Sequence, residues 1–201
     1  MGLLADATWA VLTGLWLMLP AYLANMMPVF VGGGTPIDFG KTWKDGRRVL
    51  GNGKTWRGLL LGPLLGAILT YALQWTVDNT AWGSGYGFPG WGPSPWWFFL
   101  AYMMGLGALV GDAVESFFKR RTGRDRGEPW VPFDQLDFVV GAVLFALLAC
   151  TLLAVLGLVT PNSFFTIFTW PRLLAILILT PGFHLLVNVI GYKMGLKKEP
   201  W

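Results

Sequence analysis

The chain has 201 residues and a formal net charge of +4, with 54% hydrophobic and only 13% charged residues. That length is one domain's worth, and a mean hydropathy of +0.54 lies far outside the balance of soluble globular chains. A pI near 9.4 does not make it a nucleic-acid binder, because its bases sit between apolar runs rather than along one polar surface.

Five apolar segments, at about 7–30, 58–75, 95–116, 138–159 and 173–192, each approach the roughly 20 residues an α-helix needs to cross a bilayer core. The expected fold is an all-α integral membrane protein with five transmembrane helices, forming a single domain over 1–201. The first segment begins MGLLADAT, without a basic start or a following cleavage site, and is expected to stay in the mature protein. In the second, Gly58, Gly62 and Gly66 form a small-residue ladder that suits close helix packing, expected within one chain rather than in a homodimer. The stretch after it, rich in Gly, Pro and Trp, reads as surface turns with no catalytic role. The third segment reaches spanning length only by running on into Asp112–Ser116, which places those acids at a helix end. Cys150, the only cysteine, lies in the fourth segment and has no disulfide partner. In the fifth, Pro181 should kink or loosen the helix, and His184 reads as a hydrogen-bonded helix contact rather than a general base.

Six Lys and Arg lie between the first two segments, five between the third and fourth, and three after the fifth, leaving only Arg172 on the other side. The positive-inside rule then puts the N-terminus outside, the C-terminus in the cytoplasm, and two long cytoplasmic loops at about 31–57 and 117–137. The expected location is the cell membrane, multi-pass, with the polar chemistry on the cytoplasmic face. Trp75, Trp82, Trp91, Trp96, Trp97 and Trp170 would form the outer interfacial belt, with Trp43, Trp56 and Trp130 the inner one.

The two inner loops carry the chemistry. Asp112, Glu115, Ser116 and Lys119 are spaced i, i+3, i+4 and i+7, so they share one helix face. Asp134 and Asp137 repeat the i, i+3 acid pair at the start of the fourth segment. Two carboxylates about 5 Å apart repel by roughly 3 kcal/mol at an effective dielectric near 20, so four of them on one surface call for a cation. Oxygen ligands alone favour Mg²⁺ or Mn²⁺. Helix capping by Asp134 or Asp137, and an ion pair from Asp112 to Lys119 or a nearby Arg, are the competing structural uses of these acids.

The first loop contains DGRRVLGNGKTWRG. It is not a P-loop, because Arg48 stands where the first glycine of that motif belongs and no strand precedes it. Gly51 and Gly53 beside Arg47, Arg48, Lys54 and Arg57 nevertheless suit a polyphosphate, with a surface for anionic lipid as the alternative. Acids for a metal, bases for a triphosphate and a bilayer for an insoluble co-substrate together indicate phosphoryl or nucleotidyl transfer.

Gly111-Asp112, Glu115-Ser116 and Ser116-Phe-Phe-Lys119-Arg120, followed by Asp134-Gln-Leu-Asp137, resemble the signature of the CTP:phosphatidate cytidylyltransferases. That pattern runs S-x-[apolar]-K-R and ends in D-R-x-D. Here Gln135 replaces the Arg, and the intervening Lys-Asp and His-Gly-Gly elements are absent. With its small size, five segments and PIDFGKTWKDGRRVLGNGKTWRG, the chain is more similar, over essentially its whole length, to the archaeal branch, the CDP-archaeol synthases. The resemblance implies Mg²⁺-dependent reaction of CTP with the membrane lipid 2,3-bis-O-(geranylgeranyl)-glycerol 1-phosphate, giving CDP-lipid and pyrophosphate. It implies Asp112, Glu115, Asp134 and Asp137 as catalytic and metal-holding acids. Arg47, Lys54 and Arg57 would hold the triphosphate, and Ser116, Lys119 and Arg120 would complete the site. Asn25 would either face that site or make a helix-to-helix hydrogen bond. A CTP-dependent polyprenol kinase and a small cation transporter or channel are the rival readings. The first needs a base for a hydroxyl, and the second needs charges along the span interiors, which hold almost none.

Overall fold

A computed structural model describes residues 3–80, 90–91, 95–124 and 128–195. Trp82, Arg126, Lys197, Lys198 and most of the Gly- and Pro-rich stretch after the second segment lie outside the described residues.

The first apolar segment folds as three consecutive helices rather than one: α1 (Leu3–Leu17), α2 (Leu19–Met26) and α3 (Pro28–Val31). Pro20 and Pro28 sit in the first turns of α2 and α3, and neither can donate to the carbonyl four residues earlier. The two halves, Leu4–Leu17 and Leu19–Val31, are bent by 42°. At the break, Leu17 O accepts a 2.9 Å hydrogen bond from Trp91 Nε1, and the Trp91 ring stacks on Trp16 with centroids 5.2 Å apart. Trp91 is only 1% exposed. The expectation that it belongs to an interfacial belt is therefore corrected. A carbonyl freed in apolar surroundings needs a donor, and the indole supplies it.

The second segment forms α4 (Trp56–Asn79), capped by Thr55, whose Oγ1 accepts from Gly58 N at 3.2 Å. Its glycine ladder packs within the chain. A Cβ on Gly66 would lie 2.8 Å from Ala24 N, and one on Gly62 would lie 3.2 Å from Ala24 O, so α4 and α2 are in backbone contact.

The third segment forms α5 (Trp97–Arg121), which continues five residues past the expected end. Lys119, Arg120 and Arg121 occupy its last turn, where cations complement the negative end of the helix dipole. The fourth forms α6 (Phe133–Val155), starting before the expected Phe138, so the polar connection shortens to 122–132. A short helix, α7 (Ser163–Ile167), was not expected and precedes α8 (Trp170–Lys193), which runs through Pro181 as one helix. Arg172 bonds Thr13 Oγ1 at 3.1 Å and Ile167 O at 2.7 Å, joining α8 to α1 and to the end of α7.

Among the described residues, four helices, α4, α5, α6 and α8, are long and apolar enough to cross a membrane, and the bent α1–α3 makes a fifth candidate. At about 1.5 Å per residue, the 24 residues of α4 span roughly 36 Å. The most extensive helix contact joins α5 to α6, and Met104 and Ala108 of the one and Ala142, Ala146 and Ala149 of the other lie in one buried core cluster. Leucines and isoleucines such as Leu60, Ile68, Leu148 and Ile178 are exposed along the outer faces, as a lipid solvent allows.

Candidate active site

Two helix ends and one loop meet at the basic end of the bundle. Gly107 and Gly111 of α5 lie directly against Gly141 and the Asp137 carbonyl of α6, with no room for a Cβ at any of these glycines. That approach brings the acid pairs together. Asp112, Glu115 and Asp137 each present a carboxylate oxygen, and the three oxygens lie within 4.8 Å of one another. At that spacing each pair of charges repels by about 3 kcal/mol for an effective dielectric near 20.

The chain supplies two ammonium groups against this repulsion. Lys54 Nζ pairs with Asp112 Oδ2. Lys119 Nζ donates to Asp134 Oδ1 at 2.5 Å and lies 3.9 Å from Glu115 Oε1. Asp134 also accepts from Trp130 N at 2.6 Å, so it holds the 122–132 connection and Lys119 together beside the trio. Four acids less two lysines leave a formal charge of −2. Among the described residues, Glu115 Oε1 is buried without a hydrogen-bond partner, and Asp137 Oδ1 accepts from the adjacent Phe138 N alone, at 2.6 Å. An all-carboxylate donor set with this residual charge and a buried oxygen left without a hydrogen bond fits a hard divalent cation such as Mg²⁺ or Mn²⁺.

The loop that delivers Lys54 is folded around Asp38, a residue the sequence reading passed over. Arg48 donates to Asp38 Oδ1 at 2.6 Å and to Oδ2 at 3.2 Å. Gly40, Leu50 and Gly51 add backbone N–H bonds of 3.1, 2.9 and 2.8 Å. Burial alone raises the Asp38 pKa. The Arg48 guanidinium and the three amides outweigh that and hold the carboxyl well below the usual carboxylate range. Gly46, at φ +77°, makes the tight turn between Lys41–Trp43 and Arg47–Val49, whose backbones bond across at 2.8 and 3.1 Å.

The last turn of α5 clamps this loop. Arg120 Nε donates to Leu50 O at 3.1 Å, and Arg121 donates to Arg48 O at 2.8 Å and pairs with Asp45 at 2.6 Å. Ile37 N to Lys54 O at 2.8 Å and Trp56 N to Thr35 O at 3.1 Å tie the loop's two ends. Gly53, Lys54 and Asp112 then line one small pocket with Pro28 and Gly58.

The structure thus brings Lys54, Asp112, Glu115, Lys119, Asp134 and Asp137 together, with Ser116 half-buried on the next helix position and Arg120 holding the loop. Gly53 lines the pocket, whereas the Gly51 amide is engaged by Asp38. Arg47 is exposed on this loop, and Arg57 is exposed on the first turn of α4. Asn25 lies elsewhere, on a larger apolar cavity of about 530 Å³ between α1–α3 and α8. On its wall Tyr22 bonds the buried Thr180 behind it at 2.8 Å, and His184 lies 3.3 Å from Asn188 as a helix contact. The two spaces share a wall: Pro28 of α3 faces the small pocket, and Val29 and Phe30 face the cavity.

Asp38, Asp45 and Arg121 are the residues that sequence reasoning missed. The signal for the turn was present in Asp45-Gly46, a hairpin dipeptide between Thr-Trp-Lys and Arg-Arg. The ten-residue separation of Asp38 from Arg48 carries no periodicity that would reveal their pairing.

The family model for CDP-archaeol synthase matches residues 8–201. A CDP-archaeol synthase of Methanospirillum hungatei is 47% identical over 184 residues, covering 92% of this chain and all of the relative. One from Methanoregula boonei is 43% identical with the same coverage, and one from Pyrococcus horikoshii is 40% identical over 94% of this chain and 96% of its own. A solved structure, described as an intramembrane enzyme for archaeal membrane lipids biosynthesis, is 32% identical. It covers 89% of this chain and 94% of its own, with a TM-score of 0.57.

Proposed function

The chain belongs to the CDP-archaeol synthase family, and from that premise we propose that it transfers the cytidylyl group of CTP to 2,3-bis-O-(geranylgeranyl)-glycerol 1-phosphate, releasing pyrophosphate. It is a multi-pass membrane enzyme, a CTP-dependent nucleotidyltransferase of archaeal lipid synthesis. The observation that carries the site assignment is the acid trio, contributed by two helix ends and met by a loop lysine.

Asp112, Glu115 and Asp137 hold Mg²⁺ or Mn²⁺, with Asp134 positioning Lys119 next to them. A bound divalent cation neutralises charge on the nucleotide phosphates. Lys54 and Lys119, with Arg47 from the exposed part of the loop and Arg57 from the first turn of α4, contact the β- and γ-phosphates. Ser116 and Arg120 complete the wall, Gly53 lets the backbone approach, and Gly51 contributes the turn that Asp38 holds. The lipid phosphate needs no general base, because with a second pKa near 6 it is largely a dianion at neutral pH. One of its oxygens forms the new bond to the α-phosphorus as the bond to the bridging α–β oxygen breaks, and the chain's work is in-line positioning and charge neutralisation.

The isoprenoid tails lie in the apolar cavity beside Asn25, Phe30 and Phe138, with the head group crossing α3 to the small pocket. By the positive-inside rule this end of the bundle faces the cytoplasm. Neither the kinase nor the transporter reading gains support from the relatives.

Two labels of CTP separate the possibilities. Label on the α-phosphorus appears in lipid and label on the γ-phosphorus leaves as pyrophosphate if the proposal holds; γ-label on lipid makes the protein a kinase and sinks it.

A further inference from the structure

The Lys54–Asp112 pair sets a lysine where a cation ligand is expected. Asp112 is one of the three acids whose oxygens converge, and Lys54 is one of the bases of the phosphate-binding loop. The other lysine at the site differs. Lys119 is hydrogen-bonded to Asp134, outside the trio, and lies 3.9 Å from Glu115 Oε1, beyond hydrogen-bond reach, so it need not leave its partner when the trio fills.

From this geometry, and resting on the metal-site reading above, we infer that the Lys54 ammonium is a placeholder counter-ion that leaves Asp112 for the nucleotide's phosphates when a divalent cation binds. The backbone around Lys54 is fixed: its carbonyl accepts from Ile37 N at 2.8 Å, its N–H donates to Gly51 O at 3.3 Å, and Thr55 next to it caps α4. The loop behind is held by Asp38 and by Arg120 and Arg121 of α5. Only the side chain is left to move. Its end of the ion pair is 22% exposed and that of Asp112 is 29% exposed, so the exchange takes place at the open edge of the site rather than in the core.

The exchange couples the two ligands. A cation binding without nucleotide must displace Lys54 and leave an ammonium with no anion. A cation arriving with nucleotide provides the displaced ammonium with phosphate oxygens. Metal and nucleotide then strengthen one another's binding reciprocally. Removing the ammonium should make metal binding without nucleotide easier, the opposite of what loss of an ordinary supporting residue does.

The test is Mn²⁺ binding to the full chain in detergent, followed by electron paramagnetic resonance without nucleotide, for wild type, Lys54→Met, Lys54→Gln and Lys54→Arg. The expected result is tighter Mn²⁺ binding in the two neutral variants, within the roughly 5- to 150-fold range usual for coupled sites, with Lys54→Arg near wild type. CTP binding in the presence of Mn²⁺ should weaken in the same two variants. Lys54→Gln reports independently if Lys54→Met does not fold. Mn²⁺ affinity unchanged or weaker in the neutral variants overturns the placeholder role alone. Absence of Mn²⁺ binding in every protein, with or without CTP, overturns the metal site as well.

Discussion

Replacing Gly111 with Ala perturbs the site without touching any charged group. A Cβ there would press on the Asp137 carbonyl oxygen and lie 3.0 Å from Asp137 C and 3.3 Å from Gly141 Cα, where ordinary contacts begin at 3.4 Å. Relieving the contact to the carbonyl carbon alone moves α6 from α5 by 3.4 − 3.0 = 0.4 Å, and the contact to the oxygen demands more. The moving backbone is that of Asp137, one of three acids whose oxygens are held within 4.8 Å. Misplacement by about 1 Å costs roughly 10²-fold in rate, so kcat should fall by about tenfold or more. A backbone clash of this kind costs at least the about 1–3 kcal/mol typical of an overpacked core, so kcat is read per folded molecule, with folding checked by tryptophan fluorescence. Gly182→Ala is the control: it lies in α8 with nothing within 4 Å of the added Cβ, and should keep full activity. The assay is pyrophosphate release from CTP, Mg²⁺ and the lipid phosphate in micelles. A Gly111→Ala protein with wild-type kcat would refute the claim that α5–α6 contact sets the geometry of the acids.

Asp137→Asn removes a charged ligand at the centre of the trio and should lower Mn²⁺ affinity by at least about tenfold, read by titration with CTP present. Chelation of divalent ions should abolish turnover, with Mg²⁺ or Mn²⁺ restoring it. Asp38→Asn loosens the loop that carries Lys54, so KM for CTP should rise more than kcat falls; equal KM values would separate the loop from nucleotide binding. The same variant carries a pH signature. Because the Asp38 pKa is depressed in the folded chain, its contribution is complete above the unfolded carboxylate range near pH 4 and is lost as pH falls below it. Wild type should therefore lose stability below about pH 4 more steeply than Asp38→Asn, measured by tryptophan fluorescence; parallel acid profiles would contradict this. Thr55→Ala removes the cap on α4 and should cost about 1 kcal/mol in thermal unfolding.

Hydropathy made the five segments legible because each must present an apolar surface to lipid over its full length. It did not reveal that the first is divided at Pro20 and Pro28, since a broken span has the same composition as a continuous one. The Asp112–Glu115 and Asp134–Asp137 pairs could be read from helical spacing, and their convergence depended on Gly107, Gly111 and Gly141, whose role appears only in contact. Trp91 was misread because a tryptophan between turn residues looks the same whether it lies at an interface or plugs a helix break. Asp38 was invisible for a different reason: its partners are backbone amides and an arginine brought to it by loop closure, which no sequence period encodes.

The most direct test of the central claim is the anomalous scattering of Mn²⁺ in crystals of the protein grown with CTP. The expected result is a peak coordinated by the carboxylates of Asp112, Glu115 and Asp137, with Lys54 turned toward the phosphates. A peak bound away from those three side chains, with the Lys54–Asp112 pair intact, would contradict it.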